Sequence, residues 1–169
     1  MESNNTILVV DDNPVNLAAI RHLLGAKGNF NVVEAVNGKE ALEQVKALNN
    51  LDLILLDVQL PDISGIEICR TIKQDKNTAQ IPIVLISAVR TDDASLAEGL
   101  DAGADGYLTR PIESVAIQAW LKATLRISAL QHELERQSNS HPNGEVELLT
   151  HFAKLSHSVN NPLQSLIAS

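Results

Sequence analysis

Five short apolar runs punctuate the first 111 residues, and most of them stop at a charged or hydroxyl residue. Ile7-Leu8-Val9-Val10 ends in Asp11-Asp12, Leu53-Ile54-Leu55-Leu56 ends at Asp57, and the run from Pro82 closes at Ser87. Phe30 to Val36 is a further strand-like stretch, and Asp105 to Thr109 is the last, just before Arg110-Pro111. Unbroken apolar runs of this length suit strands buried on both faces, as in a parallel sheet. Between them the spacing changes to that of a helix. Residues 14 to 27 carry Val15, Leu17, Ile20, Leu23 and Leu24, with Pro14 suited to a first turn. Lys39 to about Leu48, a stretch to about Gln74 after a loop bracketed by Pro61 and Gly65, and Asp92 to Leu100 supply three more helices. Strand then helix, repeated, predicts an α/β domain with five parallel strands and helices on both faces.

From Ile112 the pattern changes. Helical sequence runs to about Gln137 without Gly or Pro, well beyond the three or so turns of an average helix. Trp120, Ala123, Ile127, Leu130 and Leu134 follow in steps of three, four, three and four, the seam of a short coiled coil. A homodimer through the C-terminal helices is the expectation. Residues 138–144 break the helix with Pro142 and Gly144, and a second helix with Leu148, Phe152, Leu155, Val159, Leu163 and Leu166 on one stripe follows. The expected division is therefore 1–125 for the α/β domain, 126–144 for a helical linker and loop, and 145–169 for a further helix.

Composition narrows the function. The 169 residues carry 13 Lys plus Arg against 21 Asp plus Glu, a net charge of −8, which disfavours a general nucleic-acid binder. No apolar run approaches the roughly 20 residues that cross a bilayer, and the start lacks the basic and apolar regions of a signal peptide. The cytoplasm is the default compartment. The single cysteine, Cys69, excludes an intrachain disulfide and a Cys-based zinc site. With aromatics at 2%, the core must be aliphatic.

In a doubly wound sheet, ligands bind at the carboxyl ends of the strands near the point where strand order reverses. Asp11 and Asp12 end the first strand and Asp57 the third, so strand order 2-1-3-4-5 brings three carboxylates together. Like charges repel unless a cation joins them, and a hard divalent ion such as Mg2+ takes oxygen ligands of this kind. Ser87 at the end of the fourth strand offers a hydroxyl, and Arg110 after the fifth a cation. A carboxylate nucleophile, a metal, a hydroxyl and a cation together describe phosphoryl transfer to Asp57.

Four blocks carry a resemblance: Ile7-Leu-Val-Val-Asp-Asp12, Leu53-Ile-Leu-Leu-Asp57 with Pro61-Asp-Ile-Ser-Gly65, Ile83-Val-Leu-Ile-Ser-Ala88, and Gly103-Ala-Asp-Gly-Tyr-Leu-Thr-Arg-Pro111. In this order and spacing, the first 125 or so residues resemble a response-regulator receiver domain of two-component systems. The resemblance implies a flavodoxin-like sheet and Asp57 as phosphoacceptor from a histidine kinase. It implies Asp12 as a direct Mg2+ ligand, Asp11 holding a metal-bound water, and the Gln59 carbonyl as a further ligand. Ser87 and Tyr107 match the switch residues, and the Arg110-Pro111 peptide is expected cis. Arg110 departs from the family's usual Lys. Because Arg is a planar fork rather than a point charge, this opens an alternative: a phosphorylation-silent receiver serving as a dimerisation scaffold. A phosphohydrolase of the haloacid-dehalogenase type is disfavoured, because Gln59 stands where its second Asp belongs.

The block Phe152-Ala-Lys-Leu-Ser-His157-Ser-Val-Asn-Asn161-Pro162-Leu163 resembles the first helix of a histidine-kinase dimerisation and phosphoacceptor domain. It implies His157 as a phosphorylated histidine and the chain as the front of a hybrid sensor kinase. Ser158 replaces the usual acidic neighbour, and no ATP-binding sequence is present, so at most self-phosphorylation from a donor and slow self-dephosphorylation are expected.

Overall fold

The computed structural model describes residues 5–26, 28, 30–88 and 93–140. The elements are β1 (Asn5–Val10), α1 (Pro14–Gly25), β2 (Phe30–Ala35), α2 (Gly38–Ala47), β3 (Leu51–Asp57), α3 (Gly65–Gln74), β4 (Ile83–Ser87), α4 (Asp93–Asp101), β5 (Gly106–Thr109) and α5 (Ser114–Ser140). The five strands form one parallel sheet in the order β2-β1-β3-β4-β5. This is the expected doubly wound, flavodoxin-like topology.

Alternation along the strands builds two cores. Leu8, Val10, Ile54, Leu56, Ile83 and Leu85 face a cluster with Ala41, Val45, Ile68, Cys69 and Ile72 from α2 and α3. Ile7, Val9, Leu53, Leu55, Val84 and Ile86 face the other, with Leu17, Ile20 and Leu24 of α1 and Ile117 and Leu121 of α5. Every second residue of a strand points to the same face, so a run apolar at every position serves both cores. Cys69 is fully buried, and burial pushes its thiol up to about 11, which fits packing rather than reactivity.

Element ends differ from expectation by one to three residues, and the largest difference is at α5, which runs through Ser140 into the first residues of the stretch expected to break it. The helix begun at Pro14 stops at Gly25, and the third strand begins at Leu51. The fourth begins at Ile83 because Pro82 has no N–H to donate, although its carbonyl accepts from Ile54 N–H at 2.9 Å. Asn13, Asn37 and Ser64 cap α1, α2 and α3 with side-chain oxygens on Val15, Glu40 and Ile66 N–H.

The chain divides into two units, Met1–Arg126 and Ile127–Ser169. In the first, Trp120 packs against the core that α5 shares with β5, and a side chain on Gly106 would collide with its indole. In the second, Ile127 and Leu130 are 55% and 58% exposed. Residues 141–169, with His157 and the expected further helix, lie outside the described residues. Among the described residues no helix is long and apolar enough to cross a membrane.

Candidate phosphoacceptor site

Strand order decides the site. β1 lies between β2 and β3, with Val10 in register with Leu56 and Asp57 in register with Ile86. Asp11 and Asp12 therefore leave the sheet beside Asp57. Carboxylate oxygens of the three all lie within 4.8 Å of one another. Asp11 is 1% and Asp57 6% exposed, while Asp12 is exposed.

Local bonds hold each acid. Asp11 Oδ1 accepts from Asn13 N–H at 2.9 Å and from the Asn16 side-chain amide at 3.2 Å. Asp57 Oδ1 accepts from Gln59 N–H at 2.9 Å. The chain then turns away: Val58 N–H bonds to the Ile86 carbonyl, and Gly65 N–H closes the loop onto the Val58 carbonyl, both at 2.9 Å. Gly65 is required there, because a Cβ would stand 2.1 Å from the Asp57 carbonyl oxygen.

The cation comes from the far end of the sheet's sequence. Arg110 N–H bonds to the Ser87 carbonyl at 2.8 Å, which anchors the residue beyond β5 to the end of β4. Its guanidinium Nη2 pairs with Asp11 Oδ2 and lies 3.4 Å from Asp57 Oδ2. The Nε of the same side chain is buried without a partner among the described residues. One nitrogen thus serves two acids while another serves none. The Arg110-Pro111 peptide is cis, as expected.

Burial pushes the Asp57 carboxyl up to about 6. The Asp11 charge adds to this, while the Gln59 N–H and the Arg110 guanidinium pull the other way. Near neutral pH Asp57 is thus mostly a carboxylate of raised basicity. Ser87 is buried at the end of β4. Tyr107 is half-buried on β5 in register with Leu85, with its ring edge against the place a side chain on Gly99 would take. It also lines an open depression with Leu96, Pro111 and Ile112.

Asp11, Asp12, Asp57 and Arg110 are brought together as the sequence predicts, with Ser87 and the Gln59 backbone beside them. The pairing of Arg110 with Asp11 was not foreseen, nor were the Asn13 and Asn16 bonds that hold Asp11. The donor set of three clustered carboxylates fits a hard oxygen-seeking divalent cation, and among the described residues no His or Cys joins the cluster.

The family model for the response regulator receiver domain matches residues 7–122. The alkaline phosphatase synthesis transcriptional regulatory protein PhoP of Bacillus subtilis is 34% identical over 143 residues, 85% of this chain and 58% of that protein. The response regulator ArlR of Staphylococcus saprophyticus is 43% identical over 121 residues, 71% of this chain and 52% of that protein. The chain thus spans a little over half the length of these curated relatives. Among solved structures, the signal receiver domain of a signal transduction histidine kinase from Syntrophus aciditrophicus aligns with a TM-score of 0.66 at 29% identity. That alignment covers 72% of this chain and 90% of the other.

Proposed function

The chain belongs to the response regulator receiver domain family, and on that premise we propose that Asp57 accepts a phosphoryl group from a histidine kinase. The observation that carries this reading is the convergence of Asp11, Asp12 and Asp57 within 4.8 Å beneath the Arg110 guanidinium. An Asp57 carboxylate oxygen forms the new bond to phosphorus as the phosphorus–nitrogen bond of the donor phosphohistidine breaks. The imidazole leaves with that electron pair and takes its proton from solvent. Asp11, Asp12, Asp57 and the Gln59 carbonyl would hold Mg2+, which when bound supplies positive charge to the transferring oxygens. Burial keeps Asp57 basic, and Gln59 N–H fixes one of its oxygens. Arg110 balances the acids before transfer and offers donors to the phosphoryl group after it. Ser87 and Tyr107 rearrange and reshape the face of α4, β5 and α5, a local charge event acting on a two-state element.

The test is intact mass after incubation with acetyl phosphate and MgCl2, for the wild type and Asp57→Asn. One phosphoryl adduct in the wild type alone is the expected result. No adduct, beside a competent control receiver, favours the second reading of a silent dimerisation scaffold. That reading is supported by Arg110, whose guanidinium already engages Asp11 and Asp57.

The output is proposed to be a homodimer through the C-terminal helices. Exposed Ile127 and Leu130 on α5 support it, and Leu130→Glu should convert a dimer to a monomer by light scattering. The reading of the chain as the front of a hybrid sensor kinase, with His157 as a second phosphoacceptor, rests on the residue pattern around His157. A receiver taken from a histidine kinase being among the structural relatives supports it.

A further inference from the structure

Gln59 sits at the start of a loop, Val58 to Ser64, whose base is closed by the Val58–Gly65 backbone bond. The far side of that loop makes a contact with no local cause. Asp62 Oδ1 accepts from Gly38 N–H at 2.8 Å and Asp62 Oδ2 from Lys39 N–H at 2.9 Å. Those are the first two amides of α2, and helix-opening amides lack partners within the helix. The remaining amide needs there are met locally, with Asn37 Oδ1 on Glu40 N–H and Glu40 Oε2 on Val36 N–H, both at 2.8 Å. Asp62 therefore completes the N-terminus of α2 from 23 and 24 residues away, with both carboxylate oxygens committed and the positive end of the helix dipole facing it.

The approach is close, and a side chain at Gly38 would press on its neighbours. A Cβ on Gly38 would stand 2.7 Å from Ile68 Cδ1, 3.1 Å from Asp62 Oδ1 and 3.2 Å from Ile63 Cβ. The bonds from Gly38 and Lys39 also hold the Asp62 carboxyl below the usual carboxylate range, so the tether stays ionised through neutral pH.

We infer that Asp62 is a positioning residue for the phosphoacceptor site, bracing the loop that carries Gln59 against the first turn of α2. The brace acts through two links. Gln59 N–H orients Asp57 Oδ1 directly, and the Gln59 carbonyl belongs to the same loop. Beyond its base the loop is held by Leu60 and Ile63, which pack against the core, and Asp62 adds a polar fixed point that presents Gln59 pre-organised. The Mg2+ half of this inference rests on the proposed function; the bracing of the Gln59 N–H does not.

The experiment compares the full chain with Asp62→Ala and Asp62→Asn. Amide hydrogen exchange is followed at Gln59 and, as an internal reference, at Ile54 and Leu55 of β3. MgCl2 alone is titrated by calorimetry at low and at roughly 0.5 M salt, where exposed charges are screened beyond a few ångströms. In Asp62→Ala, Gln59 exchange should quicken about tenfold or more, with the β3 amides unchanged, as expected for a local opening. Mg2+ affinity should weaken severalfold, and the loss should persist at high salt. Asp62→Asn keeps one acceptor oxygen and should fall between wild type and Asp62→Ala. A lower melting temperature with unchanged Gln59 exchange and unchanged Mg2+ affinity would reduce Asp62 to a helix cap and overturn the inference. Equal losses in the two variants that vanish at high salt would overturn it in favour of simple charge. A wild type that binds no Mg2+ overturns the metal reading of the site, and Gln59 exchange then decides the brace separately.

Discussion

The two edges of the sheet treat their buried polar groups in opposite ways. At the amino edge, among the described residues, the buried polar groups are paired. Lys73 Nζ donates to the Ile81 carbonyl at 2.7 Å, the Ala79 carbonyl at 3.1 Å and Asp105 Oδ2 at 2.9 Å, and the same Asp105 oxygen accepts from Ile83 N–H. Thr6 N–H is met by Asp52, and its hydroxyl by Asn50 and Asn31. At the carboxyl edge the acids outnumber the cation, Asp57 is pushed up to about 6, and Arg110 Nε is stranded. Burying charge without full compensation costs stability, and here the cost is concentrated where a doubly wound sheet binds its ligands. The amino edge is built to hold the fold, and the carboxyl edge gathers the charges on which the proposed chemistry rests.

Asp57→Asn gives the largest expected break in that contrast. It should abolish the phosphoryl adduct and at the same time stabilise the protein. The sign follows from linkage: a carboxyl raised from 3.8 to about 6 in the folded state contributes stability that is present below its unfolded value and lost as pH rises through about 6. The amide does not titrate, so its advantage over wild type should be small near pH 4, grow to about pH 6 and then level off. The rise from 3.8 to about 6 sets a ceiling of about 3 kcal/mol, and solvent screening at a coupled, incompletely buried carboxyl brings the expected gap well below it. Urea unfolding at several pH values measures the gap. A gap that is flat with pH would remove the claim that Asp57 is held at a cost.

Lys73→Met tests the other edge. Its ion pair with Asp105 is partly exposed and contributes little by itself. The loss comes from leaving two carbonyls without their donor, about 2 kcal/mol in all. Gly103 packs against the Lys73 stem at φ +97°, a backbone that glycine alone adopts without strain, so the surroundings have little room to adjust. Stability should fall while acetyl phosphate and Mg2+ still produce the Asp57 adduct in folded protein. Loss of the adduct at temperatures where the variant is folded would show that the two edges are not separate in function.

How much of this was written in the sequence depends on the range of the interactions. The sheet was legible because the apolar runs serve two cores at once, and the site was legible because Asp11, Asp12, Asp57, Ser87 and Arg110 each stand at a strand end. What could not be read are contacts made by side chains across distant segments. Arg110 reaches Asp11 across 99 positions and Asp62 reaches Gly38 across 24, and neither leaves a local pattern. Trp120 teaches the complementary limit. Steps of three and four describe a coiled-coil seam and a core-facing helix equally well, and the half-buried Trp120 ring packs against the core over Gly106 while Ile127 and Leu130 stay exposed.

The finest test concerns the single nitrogen shared between two acids. In Arg110→Met the apolar side chain takes similar space, the stranded Nε disappears, and Asp11 and Asp57 lose their cation. Removing the guanidinium withdraws one of the two influences that lower the Asp57 carboxyl, leaving burial and the Asp11 charge less opposed. Its titration, followed by carbon-13 carboxyl shifts in metal-free protein, should therefore move above about 6. The move should be smaller than the displacement burial has already caused, because burial is the leading influence and Gln59 N–H remains. Stability should change less than in Asp57→Asn, since deleting an orphan donor offsets part of the lost pairing. If the titration falls or stays fixed, Arg110 is not the counter-ion of Asp57 in the resting state, and the imbalance at the carboxyl edge must be assigned to Asp11 alone.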